Sequence, residues 1–203
     1  MKLTKTFFKQ NPLPEQNLAE EIMLGCIEDI SCSTFDFAQK NIEMYRRYDS
    51  KRAERMSVEL ELIKKAQTAD DFINILRKHN DFSLADTLAL TVAKYEDTVL
   101  PELVKLYSRS LNDDVLDSIA LIIFNADIKY VEELFDNYSS IRSPYAQAIA
   151  CLMFVFVYEA DDELEEFYLK EYNRFKSNYP DSFYSEFPLY ALYWIHDLIE
   201  WKE

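Results

Sequence analysis

Apolar residues recur along this chain at three- and four-residue intervals, the spacing that lines one face of an α-helix. The densest case is Asn112–Ala126, NDDVLDSIALIIFNA. Asn112 is a helix-capping residue type, and Asp113 and Asp114 follow where the N-terminal dipole favours negative charge. Val115, Leu116, Ile119, Ala120, Ile122 and Ile123 then leave little of the circumference polar, which predicts a helix covered on most sides.

The same reading extends along the chain. Residues 1–14, interrupted by Pro12 and Pro14, read as an irregular arm whose Phe7 and Phe8 tuck against the body. Leu18, Ile22, Ile27 and Ile30 predict a first helix over 15–30. Residues 34–66 form a long helical pattern broken near Asp49–Ser50, with Ile42, Tyr45, Ala53, Met56, Leu60 and Ile63 as its stripe. Thr68 with Asp71 is a variant capping box for a helix that buries Phe72, Ile73, Ile75 and Leu76 and closes on Arg77, Lys78 and His79. Asn80 or Asp81 starts a helix to about Tyr95. Asp97 or Thr98 starts another, with Pro101 in its first turn.

Asp127 leads into Tyr130, Val131, Leu134 and Phe135, and Ser143–Pro144 opens a helix to about Glu159. The next runs from the acidic cluster to Tyr179. A terminal helix, Phe183 to Trp201, carries the stripe Phe183, Phe187, Tyr190, Trp194, Leu198 and Trp201, widened by Tyr184, Ala191, Ile195 and Ile199. Its polar side, with Glu186, His196, Asp197 and Glu200, suits a capping helix whose aromatic half packs inward.

Part of this pattern repeats. Asp86-Thr87-Leu88-Ala89-Leu90 lines up with Asp117-Ser118-Ile119-Ala120-Leu121, 31 residues on, and Gln147-Ala148-Ile149-Ala150-Cys151 holds the same register 30 residues later. Residues 80–179 therefore read as three helical hairpins. This resembles HEAT and armadillo-like α-solenoids, although their usual period is ~40–47 residues. The resemblance implies an all-α fold, a right-handed stack of antiparallel hairpins over 68–203, within one domain spanning 1–203. An irregular helical bundle is the alternative. It also implies a surface for another protein rather than catalysis.

Composition agrees with an all-helical reading. The single glycine, Gly25, stands where average usage of ~7% would give about fourteen. Hairpin turns, phosphate-cradling loops and dinucleotide-binding turns depend on glycine. Cys26, Cys32 and Cys151 are odd in number and lack metal spacing, which fits a reduced, cytoplasmic protein. The longest apolar run, Ala148–Tyr158, is too short to span a bilayer, and no signal peptide is evident.

Charge changes the picture most. The net charge is −15, from 22 basic and 37 acidic residues. Residues 1–110 carry 16 basic and 18 acidic residues, a net of −2; residues 111–203 carry 6 and 19, a net of −13. Such a field repels nucleic acid and anionic membrane and attracts basic partners. Arg46, Arg47, Lys51, Arg52 and Arg55 form a local basic cluster, read as a solvated face or as one docking against the acidic half.

No catalytic signature accompanies the acids. Glu159, Asp161, Asp162, Glu163, Glu165 and Glu166 lack the glycine turn of a calcium loop, and His196 with Glu200 supplies only two zinc-ligand types. The expectation is a non-enzymatic protein without metal or cofactor, monomeric or homodimeric. It binds a basic protein through Asp113, Asp114, Glu132, Glu133, Asp136, Asp161, Asp162, Glu165 and Glu166. In general character the chain is similar to small acidic bacterial immunity proteins, which implies inhibition of a toxin such as a nuclease. The alternative expectation is an adaptor that binds through an apolar, aromatic surface.

Overall fold

The computed structural model describes residues 5–11, 35–155 and 162–202. The helix expected over 15–30 lies outside them, as do Glu159 and Asp161. All regular structure among the described residues is helical. In chain order the helices are α1 (Lys5–Gln10), α2 (Phe35–Arg46), α3 (Ser50–Lys65), α4 (Ala69–Lys78), α5 (Ala85–Val92), α6 (Glu96–Arg109), α7 (Asp113–Phe124), α8 (Lys129–Asp136), α9 (Pro144–Val155), α10 (Asp162–Asn178) and α11 (Glu186–Lys202). No described residue has a positive φ, so the connections that are described contain no left-handed backbone.

The chain divides into two compact units, residues 26–143 and residues 1–25 with 144–203. In the first, local caps set the helix starts. Asp49 accepts from the Arg52 amide, which stops α2 from running into α3. Thr68 and Asp71 form the reciprocal capping box, and Asn112 accepts from the Val115 amide at 3.3 Å. The expected stripe of α2 and α3 is buried apart from the half-buried Tyr45.

Helices two apart in sequence then pack side by side: α3 on α5 and α5 on α7, α4 on α6 and α6 on α8. Contacts of α6 with α7, and of α4 with α7, join the two rows. Burial of α7 runs through Leu116, Ile119, Leu121, Ile122 and Ile123, with neighbours on several sides as its composition requires. Its one buried polar residue, Ser118, donates to Asn80 Oδ1 at 3.0 Å.

Residues 80–95 depart from the single helix expected. Asp81 accepts from the Ser83 amide and opens a 3-10 turn at Phe82–Leu84; α5 follows, and a second 3-10 turn spans Ala93–Tyr95. The Thr91 hydroxyl bonds back to the Thr87 carbonyl at 2.8 Å, a contact that bends helix ends. The next helix, α6, starts at Glu96, one residue before the expected position. Pro101 therefore lies beyond the first turn, where its missing N–H removes one helical bond.

In the second unit, α9 and α10 both pack against α11. Every residue of α9 from Ala148 to Val155 is buried, including Cys151. Fully buried Tyr168 on α10 donates its hydroxyl to the Cys151 carbonyl at 2.9 Å, which gives this otherwise stranded O–H a partner. The core face of α11 is Phe187, Ala191, Leu192 and Ile195. This corrects the expected stripe, since Trp194 is 38% exposed and Tyr190 half-buried.

Within the arm expected to be irregular, Lys5–Gln10 forms the helix α1. Phe8 packs on Tyr193 and His196, each with ring centroids 4.5 Å apart, and Phe7 packs edge-on to Tyr172. The Tyr193 hydroxyl is shared between the Phe8 and Asn11 carbonyls at 3.1 and 2.6 Å. His196 is thus a packing residue in this unit. No trio of His, Cys, Asp or Glu suited to a metal occurs among the described residues, and none of the described helices is long and apolar enough to cross a membrane.

Candidate functional site

Residues 26–143 hold two surfaces of opposite sign. The acidic one is built on α6 and α8. Glu132, Glu133 and Asp136 are exposed on α8, whose Tyr130, Val131 and Leu134 face the core. None of the three carboxylates is in an ion pair with a described residue.

Packing of α8 against α6 brings in acids the sequence reading left out. The Asp127 amide donates to Glu96 Oε1 at 3.2 Å, and Lys129 Nζ reaches Asp97 at 3.2 Å. Asp97 holds the Lys129 ammonium above its ordinary pKa. One lysine therefore stands among Glu96, Asp97 and Asp127, and the face stays negative. A periodicity of 31 residues between Glu96 and Asp127 was the available signal, since stacked repeats juxtapose equivalent positions.

The other predicted acids are distributed differently. Asp113 and Asp114 are exposed, but they open α7 at the end where α6 finishes. The 14 residues of α6 separate that end from Glu96 by about 21 Å, so these two acids do not join the α8 row. Burial, and secondarily the neighbouring Asp114 charge, raises the Asp113 pKa. In the second unit, Glu166 is exposed on α10 and Asp162 begins that helix. Glu165 is only 8% exposed, which removes it from the expected docking surface. It sits next to Leu164 on the side of α10 that turns inward. Asp161 lies outside the described residues.

The basic surface is a cleft. Its floor is the connection His79–Asp81, and its walls are α3, the end of α4 and the start of α7. Two hydrogen-bond systems fix the floor. Arg52 holds Asp81 through Nε and Nη2 at 2.7 and 2.8 Å, and also donates to Ser83. Asn80 donates to the Asp114 carbonyl at 2.8 Å while accepting from Ser118. Arg52 further stacks on Tyr45 at 4.2 Å, so this member of the basic cluster is structural. Its guanidinium holds the Asp81 carboxyl below the usual range.

Behind this floor lies Glu59, 1% exposed, with no hydrogen-bond partner for either carboxyl oxygen. Burial, aided by the Asp81 charge, pushes its pKa up to about 8, although the nearby Asp81 backbone amide pulls the other way. At neutral pH this glutamate is mostly protonated. A carboxyl buried without a hydrogen-bond partner is a strain on the core.

No protein-family model, curated protein or solved structure matches this chain.

Proposed function

We propose that this protein is a non-enzymatic, cytoplasmic binding module that masks a basic protein through the acidic face of α6 and α8. The observation that carries this reading is the row Glu132, Glu133 and Asp136, exposed and outside any ion pair with described residues, beside Glu96, Asp97 and Asp127. Carboxylates held on a packed helix attract Lys and Arg side chains, raise the encounter rate and lose that advantage as salt screens them beyond ~8 Å. In its most concrete form the protein is an inhibitor or immunity protein covering a toxin domain such as a nuclease. The side-by-side packing of helices two apart, α4 with α6 with α8, supports a stack of hairpins in the manner of a HEAT-like solenoid.

The test is a pull-down from lysate of the source organism with the intact protein and with the Glu132→Lys, Glu133→Lys, Asp136→Lys variant. The expected result is a basic protein retained by the first, released at high salt and absent from the second. A partner held equally by both would reject this surface.

A second reading, an adaptor binding through apolar contacts, rests on α2 and the turn after it. Phe37 and Met44, seven residues apart on α2, share a side and are 50% and 48% exposed, and Tyr48 in the turn after it is 83% exposed. Binding that persists at high salt and is lost on Tyr48→Ser with Met44→Ser favours it.

A further inference from the structure

The cleft over His79–Asp81 is the least expected surface of a chain with net charge −15. Lys51, Arg55, Arg77 and Lys78 line it, in a volume of about 580 Å³. A shallower extension of about 420 Å³ continues from Arg77, Asn112 and Val115 to Arg109 and Leu111. All five cations are exposed, and none forms an ion pair with a described residue. Three carboxylates also reach the cleft, Glu54, Asp81 and Asp114, but Asp81 is already committed to Arg52. The balance that faces solvent is positive.

We propose that this cleft binds an acidic segment of another protein, one carrying aliphatic residues among its carboxylates. Three features select that occupant. The unpaired cations, two of them lysines and three arginines, complement carboxylates, and the arginines suit bidentate contacts. Between them lie exposed Val58 and Leu111, with Val115 at the join, which offer seats for aliphatic side chains. No Phe, Tyr or Trp lines either part, so the bases of a single-stranded nucleic acid would lack the large aromatic platforms on which they stack best. The overall negative charge further opposes a long polyanion, whereas a short acidic segment meets only the local field.

The floor is fixed in advance by Arg52–Asp81 and by Asn80 on α7, so little ordering of the cleft accompanies binding. This surface is distinct from the acidic face of α6 and α8, and its partner has the opposite charge.

The experiment selects a displayed library of short random peptides on the intact protein, with counter-selection on the Arg77→Glu, Arg109→Glu variant. Expected is an enriched population rich in Asp and Glu with interspersed Leu, Ile or Val. A labelled member of it should bind the double variant at least about tenfold more weakly, as 1.4 kcal/mol of lost pairing implies. Arg77→Gln with Arg109→Gln should weaken it less, Leu111→Ser several-fold, and the α8 charge reversals not at all. All substituted residues are exposed, and circular dichroism verifies that the helices persist. The proposal is overturned if the enriched peptides show no acidic excess, if nothing is enriched, if the double variant binds them equally, or if a single-stranded oligonucleotide of equal charge binds as tightly.

Discussion

Arg52 and Asp81, 29 residues apart, are joined through two nitrogen–oxygen contacts of 2.7 and 2.8 Å. The pair fastens the first turn of α3 to the connection between α4 and α5, with side chains 32% and 15% exposed. Partial burial makes each partner dependent on the other. Arg52→Ala leaves a half-desolvated carboxylate and should destabilise the protein by about 2 kcal/mol, seen as a lower urea midpoint. Because Asp81 has a depressed pKa, its contribution is present above the ordinary carboxylate range and fades as pH falls through the folded-state value. The loss on Arg52→Ala should therefore be largest near neutrality and shrink in acid. An equal loss at pH 3 and pH 7 would contradict this account.

Glu59 works in the opposite direction. Its folded-state pKa of about 8 lies above that of an unfolded glutamate. Between about pH 4.5 and 8 the native state holds a proton that the unfolded chain has released, so stability falls as pH rises through that window. By pH 7 the accumulated penalty is roughly 3 kcal/mol. Glu59→Met, of similar volume, should raise the melting temperature, with an advantage that widens from pH 5 to pH 8 and then levels. A gap independent of pH would mean that the Glu59 carboxyl is not the titrating group.

Tyr193 secures the N-terminal helix of its unit. Its hydroxyl contacts the carbonyls of Phe8 and Asn11, and Tyr172 donates to Asn11 Oδ1 at 2.6 Å. Tyr193→Phe keeps the ring packing on Phe8 and removes only the O–H. The expected cost is about 1 kcal/mol, with faster amide hydrogen exchange confined to α1 and its contacts. Unchanged protection of residues 7–11 would show that ring packing alone holds the segment.

Tyr168 tests the core of the same unit. Phenylalanine there removes the O–H donated to the Cys151 carbonyl with little change in volume, so Tyr168→Phe should cost about 1 kcal/mol in a urea melt. A stabilised variant would mean that burying the hydroxyl costs more than its bond returns.

Much of this architecture is legible in sequence because helix caps act over three residues. Thr68 with Asp71 and Asn112 cap where their spacing says they should, and Asp49 caps at the break read near Asp49–Ser50. Features made by distant residues are not legible that way. The helix α1 depends on Tyr172 and Tyr193, more than 150 residues away. Arg77 and Lys78 read as dipole partners at a helix end, and only folding brings them together with Lys51, Arg55 and Arg109. On α11 the aromatic stripe residues Tyr190 and Trp194 stay partly exposed, while Phe187, Ala191, Leu192 and Ile195 form the buried face. Charge shows the same limit. The halves of the sequence differ, −2 against −13, yet residues 26–143 carry 15 basic and 22 acidic residues, a net of −7, and the other unit carries 7 and 15, a net of −8.

The absence of left-handed backbone among the described residues bears on how this protein can diversify. A left-handed turn imposes glycine or asparagine and so reserves positions against change. Here α3 and α6 instead end on extended residues, Ala66 and Ser110, in a region of backbone space open to nearly all side chains. Connecting residues such as Leu111, at the rim of the cleft, are thus free of backbone constraint. Selection can retune what the rim recognises by single substitutions while the helices beneath keep their packing.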